Sequence, residues 1–527
     1  MKTPIFITII LVFSSILAKS QISLIKDINT TPNAGCSSFA SDYDTLNGWI
    51  YFSARDSLYN TELWKTDGTE NGTIMAVDVE PGPGGSIPEN IRNVNGILYF
   101  SATNSMRGRE LYKSDGTTSG TAFIKDINVG IASSNPADFI YFQNKVYFTA
   151  DDGIHGKELW VTDGTSAGTH IFIDLTSGSS STDYKKFVVA GSHLFFKVGT
   201  NRLYSTTGSA SSVTLLHNGT WSQDVEEMIS FNGHLYFTRN LDLDLWKSDG
   251  TLSGTQFVYK ANSSNYIDGA RNLTVFNGNL YFISSSTTNS IVNLYKHNGL
   301  NTVMIKNLGS TLSLQTEKPL PTSNNRFYIA TKYQSNKTRI WQSDGTVNGT
   351  TAYSSIVNNF PISYYTGTSN GVIVVGKIGN YNNIPKLYKF QSGSSSVSTI
   401  INFSSLGLSN YHVLGIRQGT KYVFTLNGNN GKEPWVFSDN NDSLYMLKDI
   451  GKGTQGSILI QYGDPVSLNG KVFFTAQDPT HGAELWYSDG TENGTQIVKD
   501  IYVGSNGSYP RYLTISGNWI YFLAKDN

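Results

Sequence analysis

Two short segments match the G-x-S-x-G pattern of a serine nucleophile, at residues 164–168 and 367–371. In that pattern the serine lies on a sharp turn that follows a strand and precedes a helix. An internal alignment of the chain places Ser166 at a position that other units fill with Glu70, Thr118, Leu252, Val347 and Glu492. Ser369 likewise aligns with apolar residues of other units. We therefore interpret both serines as turn residues and predict no nucleophilic catalysis from them.

Acidic residues recur at two positions of a repeated segment, of which 156–169 (GKELWVTDGTSAGT) is the clearest copy. The Asp of its Asp-Gly-Thr turn could bind calcium, but calcium takes about six to eight oxygen ligands. Thr207 and Ser392 fill the same position elsewhere, so we predict that this Asp caps its own turn. A Glu that recurs before the Leu-aromatic pair is more typical of a structural acceptor than of a general acid. It is found at Glu62, Glu110, Glu158 and Glu484.

The remaining candidates for chemistry are isolated in the sequence. Asp242 and Asp244 alternate on one predicted strand, but no nearby residue completes a site. His155 and His481 occupy equivalent loops seven units apart, and each precedes a Gly. They would form a site only if the fold brought them together, and otherwise they are solvated loop residues. The sequence therefore predicts no catalytic residue, no metal site and no cofactor.

The repeated segment defines a unit of about 47 residues, a length typical of propeller blades and of helical solenoid repeats. An aliphatic residue followed by an aromatic one marks each copy, and Pro434-Trp435 fills one slot. The Gly-rich composition, with 51 Gly, and the lack of long helical periodicity favour strands. The aliphatic-aromatic pairs end at Trp64, Tyr112, Trp160, Tyr204, Trp246, Tyr295, Trp341, Tyr388 and Trp486.

Each unit is predicted to contain four antiparallel strands. Asn-Gly pairs such as Asn47-Gly48 suit the tight turn between the first two strands, because both residues tolerate positive φ. In the third unit the strands are predicted at 137–142, 145–150, 158–162 and 170–175. A lone sheet that is apolar on both faces must stack on its neighbours, and radial stacking gives a β-propeller. We predict an all-β propeller of about ten four-stranded blades, as one large ring or as two smaller propellers.

The predicted propeller region covers residues 21–527, after a separate N-terminal segment. Its units are expected near 47–86, 87–134, 135–180, 181–220, 221–265, 266–311, 312–360, 361–410, 411–459 and 460–510, followed by a partial unit at 511–527.

Residues 1–20 have the pattern of a secretory signal peptide: Lys2, an apolar run, and Ala18-Lys19-Ser20 as a small-x-small cleavage site. The apolar run is too short for a membrane span. Residues 22–28 match the fourth strand of a unit, and the partial unit at 511–527 supplies the first two strands of another. We expect the N-terminal strand to complete the C-terminal blade, with truncation of a longer chain as the open alternative. The single Cys36 excludes an internal disulfide.

The composition restricts the classes of partner. The net charge is -1 and only 15% of the 527 residues are charged. That balance argues against a broad electrostatic surface for nucleic acid or anionic lipid.

The segments 62–73 (ELWKTDGTENGT), 158–169 (ELWVTDGTSAGT) and 484–495 (ELWYSDGTENGT) resemble the ELWxxDGTxxGT repeat family of secreted, Bacteroidetes-type bacterial proteins. The resemblance covers nearly all of residues 21–527. It implies an exported, often surface-associated repeat protein, frequently with a C-terminal sorting domain that is not apparent before Asn527. It implies no established catalytic residue.

The loops after strands two and four vary between units, whereas the turns after strands one and three are monotonous. Variable loops on a rigid scaffold are where recognition usually takes place. The predicted function is therefore a secreted or cell-surface, non-enzymatic protein that binds polysaccharide or an extracellular protein. The alternative is an extracellular polysaccharide hydrolase or lyase. Candidate ligand-binding residues on this face are Tyr59, Arg107, His155, Tyr333, Tyr381 and His481.

Overall fold

A computed structural model describes most of the chain. The described residues are 5–12, 21–24, 41–55, 61–66, 74–80, 84–219, 224–239, 244–259, 269–285, 291–310, 319–321, 325–333, 337–353, 357–358, 364–368, 371–378, 384–391, 397–402, 410–418, 421–428, 431–438, 443–446, 465–516 and 519–526.

These residues form eleven antiparallel sheets, which we number as blades 1 to 11 in chain order. The first two strands of the chain, β1 (Ile5–Val12) and β2 (Gln21–Leu24), belong to blade 11. Blade 1 contains β3 (Ser41–Leu46), β4 (Trp49–Arg55), β5 (Thr61–Thr66) and β6 (Ile74–Val77). Blade 2 contains β7 (Glu89–Val94), β8 (Ile97–Asn104), β9 (Gly108–Ser114) and β10 (Ala122–Lys125). Blade 3 contains β11 (Ala137–Phe142), β12 (Lys145–Asp151), β13 (Lys157–Thr162) and β14 (His170–Ile173).

The next blades repeat the same order. Blade 4 contains β15 (Tyr184–Ala190), β16 (His193–Val198), β17 (Arg202–Thr206) and β18 (Thr214–Asn218), with a short 3-10 turn at Ala210–Ser212. Blade 5 contains β19 (Val225–Phe231), β20 (His234–Arg239), β21 (Leu245–Ser248) and β22 (Gln256–Tyr259). Blade 6 contains β23 (Gly269–Phe276), β24 (Asn279–Ser285), β25 (Ile291–His297) and β26 (Thr302–Ser310). Blade 7 contains β27 (Leu320–Pro321), β28 (Phe327–Tyr333), β29 (Lys337–Ser343) and β30 (Thr351–Ala352), with β31 (Val357–Asn358) also paired to β29.

The last blades follow the same plan. Blade 8 contains β32 (Tyr364–Thr368), β33 (Gly371–Ile378), β34 (Ile384–Gln391) and β35 (Val397–Asn402). Blade 9 contains β36 (Asn410–Gln418), β37 (Lys421–Gly428), β38 (Gly431–Ser438) and β39 (Ser443–Met446). Blade 10 contains β40 (Val466–Leu468), β41 (Lys471–Asp478), β42 (Gly482–Ser488) and β43 (Gln496–Ile497). Blade 11 adds β44 (Arg511–Ser516) and β45 (Trp519–Asp526) to β1 and β2.

Tight Asn-Gly turns join the first two strands of several blades, as the sequence predicts. In blade 1, Asn47 and Gly48 have φ values of 51° and 81°. The flanking residues Leu46 and Trp49 are paired across the two strands. Positive φ at both central residues gives a turn whose twist matches that of the strands.

The blades pack on one another through large apolar side chains. Between blades 1 and 2, Tyr51 and Leu63 contact Leu98 and Phe100. Similar clusters join the consecutive blades from 2 to 7. The first strands of blades 7, 8, 9 and 10 continue the series of neighbours.

Blade 11 closes this series, because it packs on the blades at both ends. Its Ile520 lies in one cluster with Phe473 of blade 10, and its Tyr521 lies in another with Phe52 of blade 1. The contacts therefore follow the circular order of a single ring. The predicted all-β propeller is confirmed, with eleven sheets where the sequence indicated about ten complete units.

The N-terminal strands belong to blade 11, where β2 is the outer strand and β1 lies between β2 and β45. β1 pairs with β45 over eight residues, from Ile5 opposite Asp526 to Val12 opposite Trp519. β2 pairs with β1 and not with β45, so it is the outer strand of blade 11. The third position of this blade is thus filled by residues from the segment predicted to be a signal peptide. Residues 25–28 of the predicted strand lie outside the described residues.

In the part of the chain that the structure describes, no helix has the length and apolar character needed to cross a membrane.

Candidate functional site

The variable loops are held in place by the recurring Glu of strand three. The carboxylate of Glu110 accepts hydrogen bonds from the backbone N–H of Ile127 at 2.8 Å and from the N–H and hydroxyl of Ser134 at 3.1 and 2.6 Å. These partners lie in the connection that leads from blade 2 to blade 3. The carboxylate thus fixes a loop that would otherwise leave backbone donors unpaired. We call this arrangement the glutamate clip.

The same clip occurs in three other blades. Glu62, Glu158 and Glu484 each accept bonds from a backbone N–H after strand four and from a Ser or Thr 24 residues further on. The predicted structural role of this Glu is therefore confirmed. Burial raises the pKa of Glu110 and of Glu484 to about 7. Because all four side chains are fully buried, they have no access to a substrate.

In blade 5 an ion pair takes the place of the clip. Asp244 precedes Leu245-Trp246, as the clip Glu does in its own blades, and it is buried. Its carboxylate lies 4.0 Å from the guanidinium of Arg239, which stacks over the ring of Trp246 at 4.5 Å. Asp244 is thus a core residue. Asp242, its predicted companion, lies outside the described residues.

The Asp of the Asp-Gly-Thr turn caps its own turn, as predicted. In blade 3, Oδ1 of Asp163 accepts bonds from the backbone N–H and the hydroxyl of Thr165, at 2.8 and 2.7 Å. These bonds lower the pKa of Asp163. Asp115, Asp249, Asp344 and Asp489 make the same pair of bonds. Ser166 lies in this turn with its carbonyl bonded to the N–H of Thr169, and Ser369 lies outside the described residues.

Arg107, His155 and His481 lie in connections between strands two and three. Tyr59 and Tyr381 lie outside the described residues, and Tyr333 is the last residue of β28. The guanidinium of Arg107 lies over the ring of Phe123 at 4.7 Å. His155 and His481 are partly exposed in their loops.

Each of the two histidines is paired with an aspartate that the sequence analysis did not single out. Nδ1 of His155 donates to Oδ2 of Asp152 at 2.6 Å, while Oδ1 of Asp152 accepts from the backbone N–H of His155 at 2.7 Å. His481 and Asp478 repeat both bonds, each at 2.6 Å. The bond to Asp152 raises the pKa of His155. The recurring Asp-x-x-His-Gly spacing was the signal that could have revealed these pairs.

The fold does not bring the two histidines into one site. His155 belongs to blade 3 and His481 to blade 10, and blades 11, 1 and 2 lie between them in the ring. In each His-Asp pair, Nδ1 is bonded to the Asp, and Nε2 is not joined by the imidazole of the other pair. Within the described residues, no cluster of three or more His, Cys, Asp or Glu side chains could hold a metal ion.

Exposed aliphatic residues accompany the His-Asp pair on this face. Met106, Val129, Ile131 and Ile154 are 69%, 84%, 81% and 68% exposed. Their loops are contiguous, because a Cβ on Gly108 would meet the backbone of Ile131 at 2.8 Å. On the loop face of blades 2 and 3, these exposed aliphatic side chains thus accompany two polar groups. One is the guanidinium of Arg107 over the ring of Phe123, and the other is the imidazole of His155, which Asp152 orients.

Comparisons with known proteins give similarity of structure only. No family model matches the chain, and no curated protein matches it. Among solved structures it is similar to one in a study of two prolyl endopeptidases, with 10% identity, a TM-score of 0.32, and coverage of 67% of this chain and 54% of that one. It is also similar to a GH74 enzyme of Niastella koreensis, with 13% identity, a TM-score of 0.26, and coverage of 90% and 81%.

A puromycin hydrolase gives 8% identity and a TM-score of 0.29, with 73% of this chain and 57% of that one covered. The chain thus spans little more than half the length of the prolyl endopeptidase and of this hydrolase.

Proposed function

We propose that this chain is an exported, non-enzymatic propeller that binds polysaccharide or protein outside the cell through the loop face of its blades. The observation that carries the proposal is the glutamate clip. It fixes the connections beside Arg107 and His155 before any ligand arrives, so binding costs little ordering of the loops. Loops that are fixed on a rigid scaffold are suited to recognition.

Export is supported by the residues themselves. Residues 1–20 carry the basic start, apolar run and small-residue cleavage site of a signal peptide. Cleavage after residue 20 would remove β1 and leave blade 11 of the exported protein without that strand. The repeat family that the chain resembles consists of secreted proteins, and the only cysteine is Cys36, so folding outside the cell requires no disulfide within the chain.

The positions of the recurring carboxylates in the described residues favour binding over catalysis. Glycoside hydrolysis uses two carboxyl groups within about 10 Å of each other at an accessible site. Here the recurring Glu side chains are buried in clips, and the turn Asp side chains are bonded to their own turns. The loop face offers two His-Asp pairs that lie in separate blades.

A polysaccharide lyase or hydrolase is the second candidate, and the His155-Asp152 pair is the observation that favours it. A carboxylate that holds one imidazole nitrogen leaves the other free to act as a base. An enzyme of this kind would release new reducing ends or unsaturated sugars from a polysaccharide. An assay for both products on a panel of polysaccharides separates this candidate from a pure binding protein.

A glycan array with purified protein tests the binding proposal. We expect selective binding to at least one polysaccharide, weakened about tenfold or more in the variant Arg107→Ala, His155→Ala. The matched control is His170→Ala, because His170 is exposed in the same blade but lies on β14, away from these loops. Silence across the array would contradict the polysaccharide part of the proposal, and equal loss in the control would contradict the assignment to these loops.

A further inference from the structure

The turns between strands three and four differ sharply between two parts of the ring. At the third residue after the turn Asp, blades 2, 3 and 10 carry Thr118, Ser166 and Glu492, all polar. Blades 5 and 7 carry Leu252 and Val347 at that position, 63% and 54% exposed. Polar residues build the same turn in blades 2, 3 and 10. The requirements of the turn therefore do not explain the exposed aliphatic residues of blades 5 and 7.

Blade 6 lies between these two and has a shorter turn with the same character. Its tip residue Leu300 is 85% exposed. Three consecutive blades therefore each present one aliphatic side chain at the tip of a turn. We call Leu252, Leu300 and Val347 the apolar tips.

The outer strands of blades 5 and 6 extend the apolar surface beyond the tips. Phe257 and Met304 occupy the positions held by Phe123 and Ile171 in blades 2 and 3, opposite the aromatic residue of strand three. Phe257 is 51% exposed and Met304 53%, whereas Phe123 and Ile171 are part-buried.

The tips lie on the same face of the ring. The turn of blade 6 touches the first turn of blade 5, since a Cβ on Gly299 would lie 3.1 Å from Nδ2 of Asn232. The hydroxyl of Tyr236 in blade 5 is bonded to His297, next to the same turn, at 3.0 Å. The loops that carry Arg107 and His155 follow strand two, so they emerge on the opposite face.

The described charged residues around the tips are three cations and two anions. The turns and the strand ends beside them contain Lys247, Lys296 and Arg326, against Asp249 and Asp344. Both Asp carboxylates are anionic, because the bonds that they accept from their own turns lower their pKa although burial opposes this. The nearby charge of Arg326 also lowers the pKa of Asp344, which leaves Lys247 and Lys296 as the cations available to a ligand. Aliphatic tips with flanking cations match the interface of an anionic bilayer, where apolar side chains enter the acyl boundary and cations stay at the headgroups.

We propose that the turn face of blades 5, 6 and 7 docks on a lipid surface, with Leu252, Leu300 and Val347 inserted and Lys247 and Lys296 against anionic headgroups. Three separate protruding tips suit a fluid surface, which closes around each tip, better than a rigid protein partner, which must be complementary to all three. The mode of binding is peripheral. It leaves the loop face of blades 2 and 3 directed away from the lipid and accessible to a ligand.

Vesicle sedimentation with the full-length protein tests this proposal. The probes are vesicles of phosphatidylcholine alone and of an equimolar mixture with phosphatidylglycerol. We expect binding to the mixture, weaker binding to phosphatidylcholine alone, and a loss of about tenfold or more in affinity in the variant Leu252→Ser, Leu300→Ser, Val347→Ser. The matched control is Val129→Ser, Ile131→Ser, Ile154→Ser on the opposite face, which should bind within about twofold of the unaltered protein.

Three results would overturn the proposal. The first is unaltered protein that stays in the supernatant with both kinds of vesicle. The second is a tip variant that binds as well as the unaltered protein, which would leave charge alone as the cause. The third is a dimer in sedimentation velocity that the tip substitutions abolish without any vesicle binding, which would assign the tips to a second copy of the chain. Thermal unfolding of both variants checks that the surface substitutions leave the fold intact.

Discussion

The hydroxyl of Tyr51 donates a hydrogen bond to the carbonyl oxygen of Gly116 at 3.2 Å, although 65 residues separate the two in the chain. Tyr51 lies on strand two of blade 1, and Gly116 is the glycine of the Asp-Gly-Thr turn of blade 2. The hydroxyl of Tyr147 makes the same bond to Gly208 at 3.2 Å. The tyrosine of strand two and the glycine of the turn after strand three, two recurring parts of the repeat, are therefore hydrogen-bonded across the boundary between blades.

Gly116→Ala should destabilise the protein more than an alanine at another positive-φ glycine. Gly116 has a φ of 92°, and a Cβ there would collide with the hydroxyl of Tyr51. Gly48→Ala is the control, because Gly48 has a φ of 81° but no atom within 4 Å of the added Cβ. We expect about 1 kcal/mol for Gly48→Ala from its backbone alone and about 2 kcal/mol or more for Gly116→Ala.

Chemical unfolding of both variants measures the difference in the free energy of unfolding. Adding Tyr51→Phe to Gly116→Ala should recover part of the loss, because the colliding hydroxyl is gone. Equal losses for the two glycine variants would show that the cross-blade contact has no effect of its own.

Glu110→Ala should cost about 2–4 kcal/mol in the free energy of unfolding. The substitution removes the carboxylate that accepts from the N–H of Ile127 and the nearer acceptor of the Ser134 hydroxyl, in a buried connection. Glu89→Ala is the control, since Glu89 is an exposed partner of Arg109 at 3.4 Å, and it should cost about 1 kcal/mol or less. Hydrogen exchange should also rise at residues 127–134 in the first variant only. Unchanged protection there would contradict the clip.

The stability of the protein should depend on pH through Glu110 and Glu484. Their pKa in the folded state is about 7, above the value of 4.5 for an unperturbed Glu, because burial disfavours the charged form. The folded state therefore binds more protons than the unfolded state between these values. The contribution is fully present below pH 4.5 and is lost as the pH rises through about 7.

The variant Glu110→Gln, Glu484→Gln removes this titration and should flatten the dependence of the free energy of unfolding on pH between about 4.5 and 8. Each Glu should contribute on the order of 3 kcal/mol across this range. Glu89→Gln, which alters an exposed carboxylate, should leave the profile unchanged. A double variant with the original slope would contradict the raised pKa values.

His297 should have the opposite dependence on pH. It is buried, its Nε2 lies 3.0 Å from the hydroxyl of Tyr236, and its Nδ1 lies 2.9 Å from the hydroxyl of Thr302. Burial, aided by the nearby charge of Lys247, lowers its pKa below the ordinary value of 6.5. Its contribution to stability is therefore present above pH 6.5 and is lost as the pH falls through the lowered pKa.

His297→Gln should make the protein less stable at neutral pH but less sensitive to acid as the pH falls below 6.5. His170→Gln is the control, because His170 is exposed on β14. Thermal unfolding across this range measures both. A similar loss on acidification in the His297 variant and in the unaltered protein would contradict a neutral, buried imidazole.

The sequence predicts the fold well because the residues that recur in the repeat are the ones that strands and tight turns require. The strand bounds of blade 3 agree with the prediction to within two residues. The roles of Glu110 as a structural acceptor and of Asp163 as a turn cap also follow from the sequence, since a residue that recurs at one position of several units serves a structure that those units share. The partners of these residues do not follow, because pairing across blades depends on the ring.

Other features depend on geometry that the sequence does not express. β1 has the pattern of a signal peptide, so its pairing with β45 was not predicted. Asp244 looked like half of an open carboxylate pair, but Arg239 occupies the adjacent strand position and neutralises it. Leu252 and Val347 appear in the sequence alignment only as substitutes in a turn, and Leu300 does not stand out there, because exposure is visible only once the blades are assembled.

The glutamate clip joins residues of one unit, such as Glu62 and Ser86, whereas the tyrosine-glycine bond joins one unit to the next. A unit with a clip that is copied or deleted as a whole, from its first strand to the connection that carries its Ser or Thr, therefore keeps its clip. A break before that connection separates Glu62 from Ser86. Where a unit also has the strand-two tyrosine, it can bond to the glycine turn of a neighbour like blade 2 or blade 4, so the number of such units can change by whole steps while both kinds of contact are kept.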